Sequence, residues 1–222
     1  MKHFIGFALA ALCAGTALTP AQALVIGTAD SSNSIPFGGN LGGYYYQQIY
    51  NAASFGSGID ISKLSFYTSQ APGGAVRSGT FVIYLSTIST DIATFDTNTS
   101  APWLDSSFVE VFNGSLPSIS GNRLDLNLSS LFSYNPAAGN LLLTVREFSL
   151  SSGSAFFDVD QNNGTTNSRF SAYPYNWNQG LVTGFNDGVA AVPEPASWAM
   201  MIGGFAFVGG LARRRGLSIR FA

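Results

Sequence analysis

The sequence predicts an all-β body of packed antiparallel sheets, and three observations carry that prediction. Apolar and polar residues alternate with a period of two along many short runs, turn-forming pairs separate the runs, and no body segment sustains a 3.6-residue apolar period. Short helical turns near 90–95 and 129–132 are the only helical structure expected there.

The strands follow in chain order. Residues 44–50 are rich in aromatic side chains, as strands favour. Ile59 and Ile61 alternate, then Leu64 and Phe66 resume one register off, which predicts a bulge near Ser62-Lys63. The run 81–85 is continuously apolar, suiting a strand covered on both faces, and 141–145 reads likewise. Residues 108–112 are β-branched and aromatic. Leu124, Leu126 and Leu128 alternate with Asp125 and Asn127, giving one dry and one wet face. Segments 155–160, 169–173 and 181–185 complete the set. Turns fall at Pro72-Gly73-Gly74, Asn113-Gly114, Ser120-Gly121-Asn122, Asn135-Pro136, Gly139-Asn140 and Asn163-Gly164. Eight to ten such strands predict a β-sandwich, jelly-roll-like or immunoglobulin-like, with a barrel as the alternative.

Composition limits the chemistry. Of 222 residues only 10% are charged, against roughly 25% in ordinary soluble proteins. With 18 Phe and 9 Tyr the chain can bury a core, so it is not a disordered tail. Residues 1–23 form a secretory signal peptide: Lys2, an apolar stretch from Phe4 to about Leu18, and the small-x-small site Ala21-Gln22-Ala23, with cleavage before Leu24. The only Cys and the only His, Cys13 and His3, leave with it. A mature chain without them cannot build a Ser-His-Asp triad, a cysteine nucleophile or a His- or Cys-ligated zinc site. Between Leu24 and Val192 five basic and eleven acidic side chains leave a net charge of −6. That field disfavours nucleic acid and anionic polymers as partners.

The other end carries a second address. Pro193-Glu194-Pro195 precedes an apolar stretch at 196–212, which Arg213-Arg214-Arg215 closes. Seventeen helical residues span about 25 Å, near the roughly 30 Å hydrocarbon core. The arginines resist translocation and hold the C-terminus in the cytoplasm, in agreement with a signal peptide that places Leu24 outside. The string Pro193-Glu194-Pro195-Ala196-Ser197-Trp198-Ala199, followed by a Gly-rich apolar helix and an arginine cluster, resembles the PEP-CTERM sorting signal in its P-E-P-x-x-W-A form. The resemblance implies a Gram-negative bacterium that makes exopolysaccharide. It also implies export through the general secretory machinery with signal peptidase, transient membrane anchoring, and processing near the Pro-Glu-Pro tripeptide by an exosortase. The tail 216–222 is longer than such signals usually carry. The organisation expected is therefore signal peptide 1–23, body 24–191, sorting signal 192–215 and cytoplasmic tail 216–222.

Two clusters in the body are candidate sites. Asp158, Asp160 and Asn162 place oxygen ligands at alternate positions, as a calcium loop does, but Asn163 and Arg169 stand where an EF-hand needs Gly and Glu. The competing reading is a polar strand end before an Asn-Gly turn. Tyr173, Tyr175 and Trp177, with Tyr44-Tyr45-Tyr46 upstream, offer rings that stack on sugars. The competing reading is that these rings fill the core or cover a sheet edge, and Pro174 restricts its strand to an edge or loop. The only Glu of the body, Glu110 and Glu147, lie inside apparent strands and make a poor glycosidase pair. The expectation is a non-enzymatic protein without a required cofactor. It is exported as an inner-membrane-anchored precursor and delivered to the cell surface or the exopolysaccharide matrix in a structural or adhesive role. The alternative is a carbohydrate-binding module for neutral glycans, calcium-assisted or not, and a matrix glycosidase or lyase ranks below it.

Overall fold

In a computed structural model of the chain, the residues described are 23–39, 45–93, 108–148, 151–161, 166–170, 176–177, 179–188 and 204–205. The fold is all-β, in three antiparallel sheets, and residues 21–189 form one unit. In chain order the strands are β1 (Leu24–Ile26), β2 (Ser31–Asn33), β3 (Tyr45–Tyr50), β4 (Ile59–Tyr67), β5 (Thr80–Ile88), β6 (Val109–Gly114) and β7 (Arg123–Tyr134). They continue with β8 (Asn140–Phe148), β9 (Phe157–Asp160), β10 (Thr166–Phe170), β11 (Asn176–Trp177), β12 (Gly180–Leu181) and β13 (Thr183–Phe185). A four-stranded sheet runs β1-β13-β4-β7, a six-stranded sheet β11-β10-β3-β8-β5-β6, and a three-stranded sheet β12-β9-β2. The second unit, 1–20 with 190–222, contributes only Gly204 and Phe205 to the described residues, and both are helical and exposed.

Alternation decides what faces inward. Ile61, Leu64 and Phe66 of β4, Leu124 and Leu126 of β7, Phe81, Ile83 and Leu85 of β5, and Leu141, Leu143 and Val145 of β8 join one buried cluster. Phe37 bridges the sheets: its ring centroid lies 4.7 Å from Phe66 on β4, 6.0 Å from Phe81 on β5 and 5.6 Å from Phe157 on β9. The other face of the six-stranded sheet is also buried at Ile49, Leu142 and Ile88, against which Ile92 and Phe108 pack. The continuous apolar run of β5 thus does what it predicts.

The expected bulge is present, because the β4–β7 register shifts between Ile61 and Lys63. There β4 advances from Ile61 to Lys63 while β7 goes from Phe132 to Asn127, and Asn186 Oδ1 accepts at 2.9 Å from the Ser62 N–H that the ladder leaves over. The turn at Ser120-Gly121-Asn122 also forms. Gly121 and Asn122 hold φ of 58° and 59°, and Ser120 and Arg123 exchange backbone hydrogen bonds of 2.9 and 3.1 Å.

Three expectations need correction. Residues 129–132 are strand, not a helical turn, because β7 runs unbroken to Tyr134. There the hydroxyls of Ser129 and Ser130 donate to the Val111 and Glu110 carbonyls at 3.0 and 2.8 Å, covering the bulged edge strand β6. Asn113-Gly114 pairs with Val82 and Phe81 as the end of β6 instead of turning. Segment 181–185 is two strands in different sheets, since the chain crosses over at Val182.

Loops around 34–39, 72–79 and 151–156 meet backbone to backbone. A Cβ on Gly38 would lie 1.8 Å from the Ala155 carbonyl oxygen, and one on Gly153 would lie 2.7 Å from the Gly38 oxygen. Gly38→Ala is expected to destabilise the body by about 1–3 kcal/mol, since the loops must separate around Phe37. Gly56→Ala meets nothing within 4 Å, so its effect should stay within about 0.5 kcal/mol. Chemical denaturation of the two variants checks the contrast.

Candidate functional site

The face of β4 and β7 turned away from the apolar core carries the most connected group of charges among the described residues, with Lys63 and Ser65 buried within it. Alternation on β4 turns Lys63, Ser65 and Tyr67 to this face, opposite Asn127, Asp125 and Arg123 of β7. Asp125 accepts from Ser65 Oγ at 2.7 Å, Lys63 Nζ at 3.0 Å and Arg123 Nε at 2.8 Å. Asp187 Oδ2 accepts from Tyr67 Oη at 2.6 Å and Arg123 Nη1 at 3.1 Å. Burial and the adjoining Asp187 carboxylate push the Tyr67 phenol far above the usual tyrosine range. Tyr67 therefore stays a hydrogen-bond donor at any physiological pH. The wet face of β7 was readable in Arg123, Asp125 and Asn127, but Asp187, which Arg123 also binds, lies 64 residues further on and gave no local signal.

The candidate calcium residues are only partly brought together. Asp158 and Asp160 lie on β9, both nearly fully buried. Asp158 accepts from Ser69 N at 3.0 Å, Ser69 Oγ at 2.6 Å and Gln70 N at 2.8 Å, so it ties the loop after β4 onto β9. Asp160 accepts from Thr28 N at 3.1 Å. Asn162 lies outside the described residues. Among those described, no group of three or more acidic, His or Cys side chains could hold a metal ion.

Of the candidate glycan-binding residues, Tyr173 and Tyr175 lie outside the described residues. Trp177 lies on β11, an edge strand of the six-stranded sheet, paired with Ser168. Tyr46, from the upstream aromatic triplet, is buried in the core and donates to Gln48 Oε1. The two Glu are far apart in role. Glu147 is fully buried, 2.5 Å from Arg77 Nη1. Glu110 stands exposed on edge strand β6 and accepts from Asn113 Nδ2 at 3.2 Å.

The residues of the sorting string and its arginine cluster, Pro193, Glu194, Pro195, Trp198, Ala199, Arg213, Arg214 and Arg215, lie outside the described residues, as does Ala21 of the signal cleavage site. Ala23 is exposed, immediately ahead of β1. Among the described residues no helix is long and apolar enough to cross a membrane.

In sequence, the all-β body is followed by the residues of a C-terminal address. The model of the PEP-CTERM protein-sorting motif matches residues 191–215, and the chain is a PEP-CTERM sorting-signal-containing protein. The motif implies an exported, exosortase-targeted protein made as a membrane-anchored precursor. No curated protein and no solved structure matches the chain.

Proposed function

We propose that the protein is a non-enzymatic surface or matrix component whose body is a β-sandwich. In this reading the signal peptide is removed before Leu24 and a transmembrane helix at 196–212 holds the precursor. Exosortase then processes the chain near Pro193-Glu194-Pro195, and the released body joins the exopolysaccharide at the cell surface in a structural or adhesive role. The matched sorting motif carries the reading. Two further observations support it: β1 begins at Leu24, directly behind the expected cleavage site, and the two main sheets share one core through Phe37.

The test is intact-mass measurement of the cell-surface form beside the full precursor. The expected mass lacks residues 1–23 and everything beyond the Pro-Glu-Pro region. Deleting 193–215 should leave the body soluble in the periplasm, and unchanged processing and surface distribution would refute the reading. A second reading, binding of neutral glycans, is supported by the edge position of Trp177. Isothermal titration of neutral polysaccharides, with and without calcium, separates the two readings.

A further inference from the structure

The body's last described residues are fastened more firmly than a strand end requires. Beyond β13, Asn186 is fully buried and turns the chain with φ of 54°, a left-handed conformation that non-glycine residues adopt at a cost. Four hydrogen bonds hold it to β4. Its N–H donates to the Lys63 carbonyl at 3.0 Å, and its Nδ2 donates to the Asp60 carbonyl at 2.8 Å. Its Oδ1 accepts from Ser62 N at 2.9 Å and Ser62 Oγ at 3.1 Å. The β4 bulge is thus filled by the residue that follows β13.

Asp187 then doubles back across Gly184, where an added Cβ would lie 3.0 Å from its own, and reaches Tyr67 and Arg123. Gly188, with φ of 71°, lies against the Arg123 guanidinium, 3.0 Å from Nη2 to an added Cβ. The matched sorting motif begins at residue 191, so only positions 189 and 190 separate it from this turn.

We infer that Asn186, Asp187 and Gly188, held by Ser62, Tyr67 and Arg123, form a latch that ends the folded body directly ahead of the sorting motif and sets the N-terminal limit of the chain a protease can engage. A protease needs locally opened chain. β13 is only three residues long, paired with β1 on one side and β4 on the other, and without the latch its C-terminal end would fray and lengthen the cleavable stem. With the latch, opening stops at Gly188 and the released protein keeps a short, uniform C-terminus. Only the exosortase part of this inference rests on the processing reading above.

The experiment uses the full-length precursor in an exosortase-bearing host, as wild type, Asn186→Gly and Asp187→Ala. Asn186→Gly keeps the backbone turn and drops the side-chain bonds. Ile83→Val, a buried substitution on β5 outside the latch, is the control for general destabilisation. Mass spectrometry reads the C-termini of the released proteins, and limited proteolysis with a broad-specificity protease reads the cleavage rate at 182–188. Wild type and Ile83→Val should give one C-terminus beyond Gly188. Both latch variants should give a ladder ending within 182–188 and cleavage there at least tenfold faster. Equal C-termini and rates in wild type and latch variants, or the same ladder in Ile83→Val, would overturn the latch. A wild-type precursor that is never shortened would refute exosortase processing, whereas faster proteolysis at 182–188 in the variants would still establish the latch.

Discussion

Above pH 7, where Glu147 is ionised beside it, Arg77→Met is expected to cost the body about 3–5 kcal/mol of folding stability, because it strands a buried carboxylate. Alternation along β8 points Leu141, Leu143 and Val145 into the core, and Glu147 is the next inward position. The carboxylate is fully buried, Arg77 Nη1 lies 2.5 Å from Oε2, and Oε1 has no partner among the described residues. Arg77 in turn donates from Nε to the Ser151 carbonyl at 3.0 Å and from its backbone N–H to Phe37 at 2.8 Å. Arg77 therefore ties its own loop to the Phe37 loop through its backbone and to the Ser151 loop and the end of β8 through its guanidinium. The double variant Arg77→Met, Glu147→Leu removes both charges and should recover most of the loss, since an apolar pair of similar volume has no desolvation to offset. Urea denaturation of the single and double variants measures the difference. A double variant as unstable as the single would mean that the loop contacts of Arg77, not its charge, carry the cost.

The same pair sets a pH dependence. Burial pushes the Glu147 carboxyl up from 4.5 to about 7, with Arg77 holding it back. The folded state therefore binds a proton more tightly than the unfolded chain, so this contribution is full below pH 4.5 and is lost as pH rises to about 7. Asp125 works in the opposite sense. Burial alone would raise it, but hydrogen bonds from Ser65, Lys63 and Arg123 and the Lys63 charge hold it below 3.8. Its contribution is present above pH 3.8 and lost as pH falls. Thermal stability should accordingly peak between these limits and decline toward neutrality, and Arg77→Met, Glu147→Leu should flatten the decline above pH 4.5. Thermal scans across pH 3 to 8 in the two backgrounds check it.

Local signals in the sequence reach a definite depth. Strands β5, β7 and β8 were readable because each presents its own face pattern, and the β4 bulge was readable because the apolar register slips at Ser62-Lys63. What filled that bulge was not readable, since Asn186 lies far along the chain and an isolated Asn before Asp-Gly reads as a turn. Strands β1, β2 and β11 escaped for a related reason. Three or two residues long, they are strands only by the partners they find. Of the candidate site, Asp158 and Asp160 were readable as ligand-like residues, but their hydrogen bonds to Ser69, Gln70 and Thr28 depend on loops that no spacing rule connects to β9.

Gln48 is the other position where one substitution should matter most. On β3, Tyr46, Gln48 and Tyr50 face inward, which puts an amide into an apolar core. The crossover at Val182 explains it. Val182 N–H donates to the Asp158 carbonyl at 3.0 Å, so the Leu181 N–H and C=O point away from β9. Gln48 meets both: Oε1 accepts from Leu181 N at 2.8 Å and Nε2 donates to Leu181 O at 2.9 Å, as a neighbouring strand would. Gly180 makes the approach possible, since an added Cβ would lie 2.3 Å from Thr166 Oγ1 and 3.2 Å from Gln48 Nε2. Gln48→Met keeps the volume but orphans the buried Leu181 N–H, removes the acceptor that Tyr46 Oη uses on Gln48, and leaves the Leu181 C=O with only the Thr183 hydroxyl. With two donors losing their Gln48 acceptor it should cost about 2–6 kcal/mol, at about 1–3 kcal/mol for each. Gln48→Glu sharpens the test. As a neutral acid its C=O can accept from Leu181 N–H while its O–H donates to Leu181 O, restoring the cyclic pair. As a carboxylate it has no donor and carries a buried charge, so the folded state raises its pKa and the stability it restores is present at low pH and lost as pH rises. Gln48→Glu should therefore approach wild-type stability near pH 4 and fall to the Gln48→Met level or below at pH 8. Equal deficits at both pH values would show that Gln48 does not act as a surrogate strand for Leu181.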